Sequence, residues 1–484
     1  MSKITIKKHH KWFGLLFGFF IILFCISGVL LNHRDLISTI DFSRSILPSA
    51  YQYKNWNNGL LKGTIKVEDE VYIYGNSGVY VTDSLMSRFE ACNDGFPEGV
   101  DNRNILKVLQ TLDHKLIAVS SSSIYLDFKR SWKSVFNAQE RLTDALVCGD
   151  SLIVVGRSHL FIAMPPYTEY SVMEVLPSST SDGKVTLFRT IWLIHSGELF
   201  GLVGKLVVDG IAAILIFLTT SGFLYWILPK RIKAINRSGG NSLLAKNSWR
   251  WNVRWHRKIG VWTVALTLFS AFTGWCLRPP LLIPLAYTKV PPIPGSILSS
   301  DNPWQDKLRA LRYDHFNNDW LLSTSDGFYS LVNLESVPKA VSIAPPVSVM
   351  GVNIFHQKSS GDWLVGSFSG MYIWKRADSL VLDYFTGDPP LTMQAAPFGN
   401  FAASGFTDDV LNSEYVVEYM DGSPDLLMPP SYFSLPISLW NIALEIHTGR
   451  VFTFLGMGTL IYISIAGLIV LWVLLSGYLL RKRG

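Results

Sequence analysis

Five histidines of this chain stand at the ends of long apolar runs: His10, His33, His195, His256 and His447. An ionisable or metal-binding side chain at membrane depth is costly and is a functional candidate by default, although at a helix end a single imidazole can simply rest among lipid headgroups. Their spacing argues for a set. His10 precedes Gly14 by four residues and Gly28 by eighteen, and His256 precedes Gly260 and Gly274 by the same offsets. His195 opens IHSG and is followed by Gly204; His447 opens IHTG and is followed by Gly456. The His195 run then reaches Ser221-Gly222 and the His447 run Ser476-Gly477, with offsets that differ by three residues.

Such self-similarity is an internal duplication. Each half reads as helix, outer segment, helix, both running the same way, which is a parallel repeat about an axis along the membrane normal. A two-fold repeat sets equivalent residues opposite each other, so His10 faces His256 on one side and His195 faces His447 on the other. Two facing neutral imidazoles are what a six-coordinate haem iron takes, and apolar helix faces bury a porphyrin. There is no Cys-x-x-Cys-His, so the haems, two in number, are expected to be b-type and non-covalent. His33 lies 23 residues beyond His10, about 35 Å along a helix. It is therefore a third candidate ligand on the side of His195 and His447. Lys205 and Asp209, four apart, are expected to form an ion pair. The small residues Gly28, Gly222, Gly274 and Gly477 are read as points of close helix approach. No catalytic side chain is assigned.

The elements that must position these residues are four apolar runs, roughly Trp12–Leu31, Val208–Leu228, Ile259–Leu277 and Met457–Leu480, each long enough for a bilayer core. Hydrophobic residues make up 49% of the 484 and charged residues 17%, too few solvating groups for a soluble protein. The net charge of +6 is not a nucleic-acid signature. Segments 1–11, 229–258 and 481–484 hold sixteen Lys/Arg and no acid, and the remainder carries 27 bases against 37 acids. By the positive-inside rule both termini and the middle loop are cytoplasmic, and the long connections are periplasmic if the membrane is a bacterial inner one. The expected order is cytoplasmic N-terminus and first span 1–33, outer domain 34–190, second span 191–229, basic loop 230–255, third span 256–279, outer domain 280–440, and fourth span with basic C-terminus 441–484. From His195 to Lys230 is roughly 50 Å of straight helix. Either His195 projects above the bilayer or Gly197, Gly201 and Gly204 bend the chain back.

The outer segments repeat on a shorter scale: VYIYGNSGVY (71–80), LIAVSSSSIY (116–125), LIVVGRSHLF (152–161), WLLSTSDGFY (320–329) and WLVGSFSGMY (363–372). Each reads as two short strands around a Ser/Gly turn. The spacings suit four-stranded propeller blades, three in one half and two in the other, and a β-sandwich of hairpins is the alternative. The fold class is thus membrane α-helical, four transmembrane helices as a parallel duplicated pair, with β-rich, propeller-like extracytoplasmic domains. His114, His159, His315 and His356 fall at unrelated positions in these repeats and read as surface or turn residues. Cys92 and Cys148 could form a disulfide or be two small buried residues; Cys25 and Cys276 lie in helices.

The motifs HKWFGLLFG…SGVLL, IHSGELFGLVGK…SGFLYW, WHRKIGVW…TGW and IHTGRVF…SGYLLRKR resemble the PepSY-associated transmembrane proteins, in that family's order and over all four helices. The family includes inner-membrane ferric-siderophore reductases with histidine-ligated haem, and the resemblance implies that role for His10, His256, His195 and His447. The long outer segments depart from it, since neither carries a recognisable PepSY domain. The expected function is haem-mediated electron transfer from a cytoplasmic reductase, flavin or quinol donor to a periplasmic redox partner or ferric chelate. The different reading is a membrane-anchored, propeller-type binding module without redox activity. No nucleotide-binding glycine loop is present, so the donor is a separate molecule. A transporter is weaker, because none of the four runs reads as broken. Acidic Glu198 and Glu445 beside His195 and His447, against Lys7, Lys8, Lys11, Arg254, Arg257 and Lys258 around the other pair, predict a lower potential on the outer side.

Overall fold

The computed structural model describes residues 2–392, 399–456 and 458–482, which divide into two compact units. The helical unit comprises Met1–Ile37, Gly183–Ser299 and Trp440–Gly484; the sheet unit comprises Ser38–Asp182 and Ser300–Leu439. Residues 280–299, expected in an outer domain, therefore belong with the helices.

The helical unit is built from α1 (Lys3–Asn32), α2 (Leu187–Ser196), α3 (Gly201–Arg237), α4 (Leu243–Trp262), α5 (Val264–Cys276), α6 (Leu439–His447, from Trp440 onward) and α7 (Gly458–Lys482). Helix α1 is started by Ser2, whose side chain accepts the Thr5 N–H at 3.2 Å, a cap that satisfies an otherwise orphaned donor. It packs against α3 and α7, α3 packs against α4, and α5 against α7 and α2. Three helices are long and apolar enough to cross a bilayer, or four if α4 and α5 count as one span. In lipid such helices satisfy every backbone group internally.

Two breaks shape this unit. After α2 the chain reverses at Gly197, φ +79°. A Cβ there would sit 2.3 Å from the Gly204 carbonyl oxygen, so only glycine admits the approach. The chain thus bends back into α3 rather than running on straight, and Gly449 and Gly456, both at positive φ, mark the matching reversal between α6 and α7. The two reversals are matched in length, from His195 to Gly204 and from His447 to Gly456, and the three-residue offset between the two Ser-Gly pairs arises beyond those glycines. The third run, expected as one helix over Ile259–Leu277, is instead bent by 66° between α4 and α5. The Thr263 hydroxyl donates to Ile259 O at 2.8 Å and Thr267 to Thr263 O at 3.1 Å, the back-bonding that bends helices.

In the sheet unit, five four-stranded antiparallel meanders occupy residues 63–91, 105–137, 142–173, 308–340 and 354–383, and a two-stranded sheet occupies 403–418. Every ten-residue repeat of the sequence is the hairpin of the second and third strands of one meander, as in Glu70–Gly75 with Gly78–Asp83. The leading strands of successive sheets touch in order, and that of the last touches that of the first, where Thr64 and Thr407 hydroxyls meet at 2.8 Å. Apolar layers fill each gap: Tyr74, Val79 and Ala118 between the first two sheets, Val119 and Val154 next, Val155 and Leu322 next. Leu321 and Val365 follow, then Leu364 and Ala403, and Val71 with Val417 at the return. The sixth sheet carries no copy of the repeat and was not visible in the sequence.

Cys92 and Cys148 are both free thiols, so the disulfide is not formed. They sit in different apolar layers, Cys92 with the first two sheets and Cys148 with the third and fourth. Burial pushes the Cys92 thiol up to about 11.

Candidate functional site

The helices bring four of the five histidines together in two pairs. The His10 and His256 rings lie 6.3 Å apart between centroids, tilted by 65°; the His195 and His447 rings lie 6.1 Å apart, tilted by 38°. All four rings are half-buried. Along α1, which carries His10 and touches His447 through Ser27, the two pairs are about 25 Å apart at 1.5 Å per residue.

Each imidazole is held the same way. His10 Nδ1 lies 3.0 Å from Val473 O and 3.2 Å from Ser476 Oγ; His256 Nδ1 lies 2.7 Å from Ser221 Oγ. His195 Nδ1 lies 3.2 Å from Thr273 Oγ1, and His447 Nδ1 lies 2.9 Å from Phe24 O and 3.2 Å from Ser27 Oγ. The four hydroxyls already donate to carbonyls of their own helices: Ser27 to Leu23 at 2.7 Å, Ser221 to Leu218 at 2.9 Å, Thr273 to Ser270 at 2.9 Å and Ser476 to Val473 at 2.9 Å. A hydroxyl has one proton to give, so each can only accept from the ring. That assigns the proton to Nδ1 in all four and leaves Nε2 as a bare acceptor.

The residue after each of these hydroxyls is glycine. A Cβ built there would meet the ring Cε1 at 2.7 Å on Gly274, 3.0 Å on Gly477, 3.1 Å on Gly28 and 3.7 Å on Gly222. Reading these glycines as helix contacts is therefore incomplete: they leave room for the imidazoles. The Ser/Thr-Gly pair is one cradle used four times, and the cradles are exchanged between the halves. His10 and His447 rest on helices of the opposite half, and so do His256 and His195. Sequence reasoning missed the hydroxyls as orienting groups, although the dipeptide recurs in all four runs.

His33 is turned elsewhere. Its Nε2 meets Asp209 Oδ2 at 2.8 Å, and Asn32 donates to the other carboxylate oxygen at 3.1 Å. The expected Lys205–Asp209 pair is accordingly absent: Lys205 reaches Glu198 at 3.2 Å, because Asp209 is occupied from α1. Glu445 is bound by Arg450 at 2.5 Å.

The arrangement fits a bis-histidine haem. A metal–imidazole bond of about 2.0 Å and a ring radius of about 1.1 Å, set by C–N bonds of ~1.33 Å, put two opposed ligand centroids about 6.2 Å apart. Nδ1–H held by a carbonyl or hydroxyl and Nε2 free is the tautomer a metal-ligating histidine needs. Among the described residues no three His, Cys, Asp or Glu converge as a metal site.

The other histidines make local contacts. His159 lies 2.9 Å from Glu140, His356 lies 3.5 Å from Asp408, and His315 packs on Tyr313. Near the leading strands of the sheet unit, Arg312 and the buried Asp144 form an ion pair at 2.5 Å. Lys107 has no hydrogen bond or salt bridge from its side chain among the described residues; burial first, and then Arg312, lower its pKa to about 8. Burial, and then Arg141, bring Lys62 to about 7.

Compared with known families, the chain matches the PepSY-associated TM region over residues 8–483. It belongs to that family and is a membrane protein. No curated protein matches it. Among solved structures it is similar to two chains described as extracellular domains of BT4673 from B. thetaiotaomicron. One, from a one-component system, is 7% identical over 80% of this chain and 40% of its own, with a TM-score of 0.34. The other, from a hybrid two-component system, is 10% identical over 74% and 38%, with a TM-score of 0.25. This chain spans less than half the length of either, and these scores fall short of a shared overall fold.

Proposed function

We propose that the protein is a transmembrane electron carrier of the bacterial inner membrane. It would bind two b haems and pass electrons from a cytoplasmic or quinol donor to a periplasmic acceptor, a ferric chelate such as a ferric siderophore. The observation that carries this reading is the pair of facing imidazoles, twice over, each with Nδ1 tied off and Nε2 left bare.

When bound, each haem would supply a one-electron iron couple. The chain's own residues do the rest. His10 with His256, and His195 with His447, would hold the two irons through neutral imidazoles, one pair for each. Val473, Phe24 and the four hydroxyls fix ring orientation, and the apolar helix faces keep water away. The exchange of cradles between the halves supports a parallel duplicated pair of helices. The basic 230–255 connection supports cytoplasmic termini and a periplasmic sheet unit. The six touching sheets, with an apolar layer in every gap, support one propeller completed by both outer segments. The acceptor enters from the resemblance to ferric-siderophore reductases, and the weakly compensated Lys62 and Lys107 suit an anionic chelate.

The test is to add haem to the purified protein and record its spectrum. A low-spin spectrum reducible by dithionite is expected, and a protein that takes up no such haem is an anchored binding module instead.

A further inference from the structure

Beyond the electron-transfer reading, the helical unit contains a cavity of about 560 Å³ between α4 and the end of α7. Its lining includes Arg250, Arg254, Arg257, Lys258 and Arg481. Four of these recur along α4 at helical spacing and form one basic face, and residues 229–258 contain no acid. None of the five has a hydrogen bond or salt bridge to a carboxylate among the described residues; Lys258 instead rests over the Trp255 and Trp262 rings at 4.9 and 4.3 Å. Trp249 and Trp262 line the same cavity, and the Trp249 indole N–H has no acceptor among the described residues.

Five like charges around one cavity repel each other, and among the described residues no carboxylate pairs with them. Arginine forks match phosphate oxygens two at a time, and indole walls receive an apolar or flat body beside the phosphate. The bend of 66° after Trp262 turns α4 off the line of α5. Its sequence of arginines and tryptophans is that of a helix at a membrane surface. We propose that this cavity binds a phosphate-bearing anion, supplied either by an acidic phospholipid headgroup or by a soluble phosphorylated cofactor. Basic pockets between helices on the positive side of membrane proteins are where anionic headgroups lodge.

The test uses the full-length protein and two probes. In nanodiscs of phosphatidylcholine alone, FMN is titrated and its fluorescence quenching followed. From nanodiscs of phosphatidylcholine with phosphatidylglycerol, the lipid retained by the protein is measured by native mass spectrometry. Binding of at least one probe is expected, and it should fall roughly thirtyfold in Arg250→Gln/Arg254→Gln, two surface charges removed. Arg250→Lys/Arg254→Lys should keep most of it. FMN binding assigns the site to a soluble cofactor, and phosphatidylglycerol retention assigns it to lipid. The proposal is overturned if neither probe separates wild type from the Gln variant while both proteins show the same helical circular dichroism. Neither readout involves haem, so the outcome is independent of the electron-transfer reading.

Discussion

The two histidine pairs share their cradles but not their electrostatic surroundings. Around His10 and His256 the charges are Lys7, Lys8, Lys11, Arg254 and Arg257, all exposed, and the half-buried Lys258. Water and salt screen such charges over about 8–10 Å. Around His195 and His447 the two acids are compensated, Glu198 by Lys205 and Glu445 by Arg450. The charge left over there is Arg278, half-buried and close enough to bear on both imidazoles. Counting charges along the sequence placed the acidic influence on the second pair; pairing removes it and leaves a single shielded cation. The lesson is that an acid beside a histidine in sequence says little about the local field until its partner is known.

The cradles offer the sharpest way to break this comparison. Gly274→Ala puts a methyl 2.7 Å from the His195 ring, whereas Gly222→Ala leaves 3.7 Å at His256. Gly274→Ala should therefore lose the haem of the second pair, and Gly222→Ala should keep both; absorbance at constant protein concentration reads the difference. If both alanines lose one haem, the glycines are helix contacts after all. Removing a hydroxyl is milder. Thr273→Val and Ser221→Ala should each weaken haem retention at their own pair by roughly 10- to 100-fold, the usual cost of a lost orienting partner. Equal spectra and equal retention after either change mean that the hydroxyls do not set the ring.

Potentials give the next contrast. Arg278→Gln should lower the midpoint potential of the second pair, because a shielded positive charge favours reduced iron. Arg254→Gln should barely move the first. A redox titration in which Arg254→Gln has the larger effect reverses this account of screening.

Outside both pairs, the sheet unit titrates by its own groups. Lys62 and Lys107 have pKa values of about 7 and 8, below the ordinary lysine value. The unfolded chain therefore binds more protons between pH 7 and about 10.4, and stability should rise across that window. Urea unfolding of the full chain followed by sheet signals should show the rise, and Lys62→Met should flatten it. The smallest effect belongs to His33→Ala, which breaks only the contact with Asp209. It should cost about 1 kcal/mol or less and leave the haem content unchanged; loss of a haem would make His33 a ligand.

Much of this was legible in the chain. Equal offsets from His10 and His256 to their glycines pointed to residues that the helices bring together, and the ten-residue repeats marked five hairpins. What was not legible depends on contacts between distant segments. Nothing local says that Ser476 holds His10, that Asp209 takes His33 rather than Lys205, or that Cys92 and Cys148 fall in different layers. The bend at Thr263 had a signal, since Thr263 and Thr267 both back-bond, but an unbroken apolar run concealed it.

The most direct measurement is the haem stoichiometry of wild type, His256→Ala and His447→Ala, each purified from cells supplied with a haem precursor. Two low-spin b haems per chain in the wild type and one in each variant are expected, with the remaining haem still reducible by dithionite. Equal haem content in all three proteins, or none in the wild type, contradicts the assignment of the two pairs.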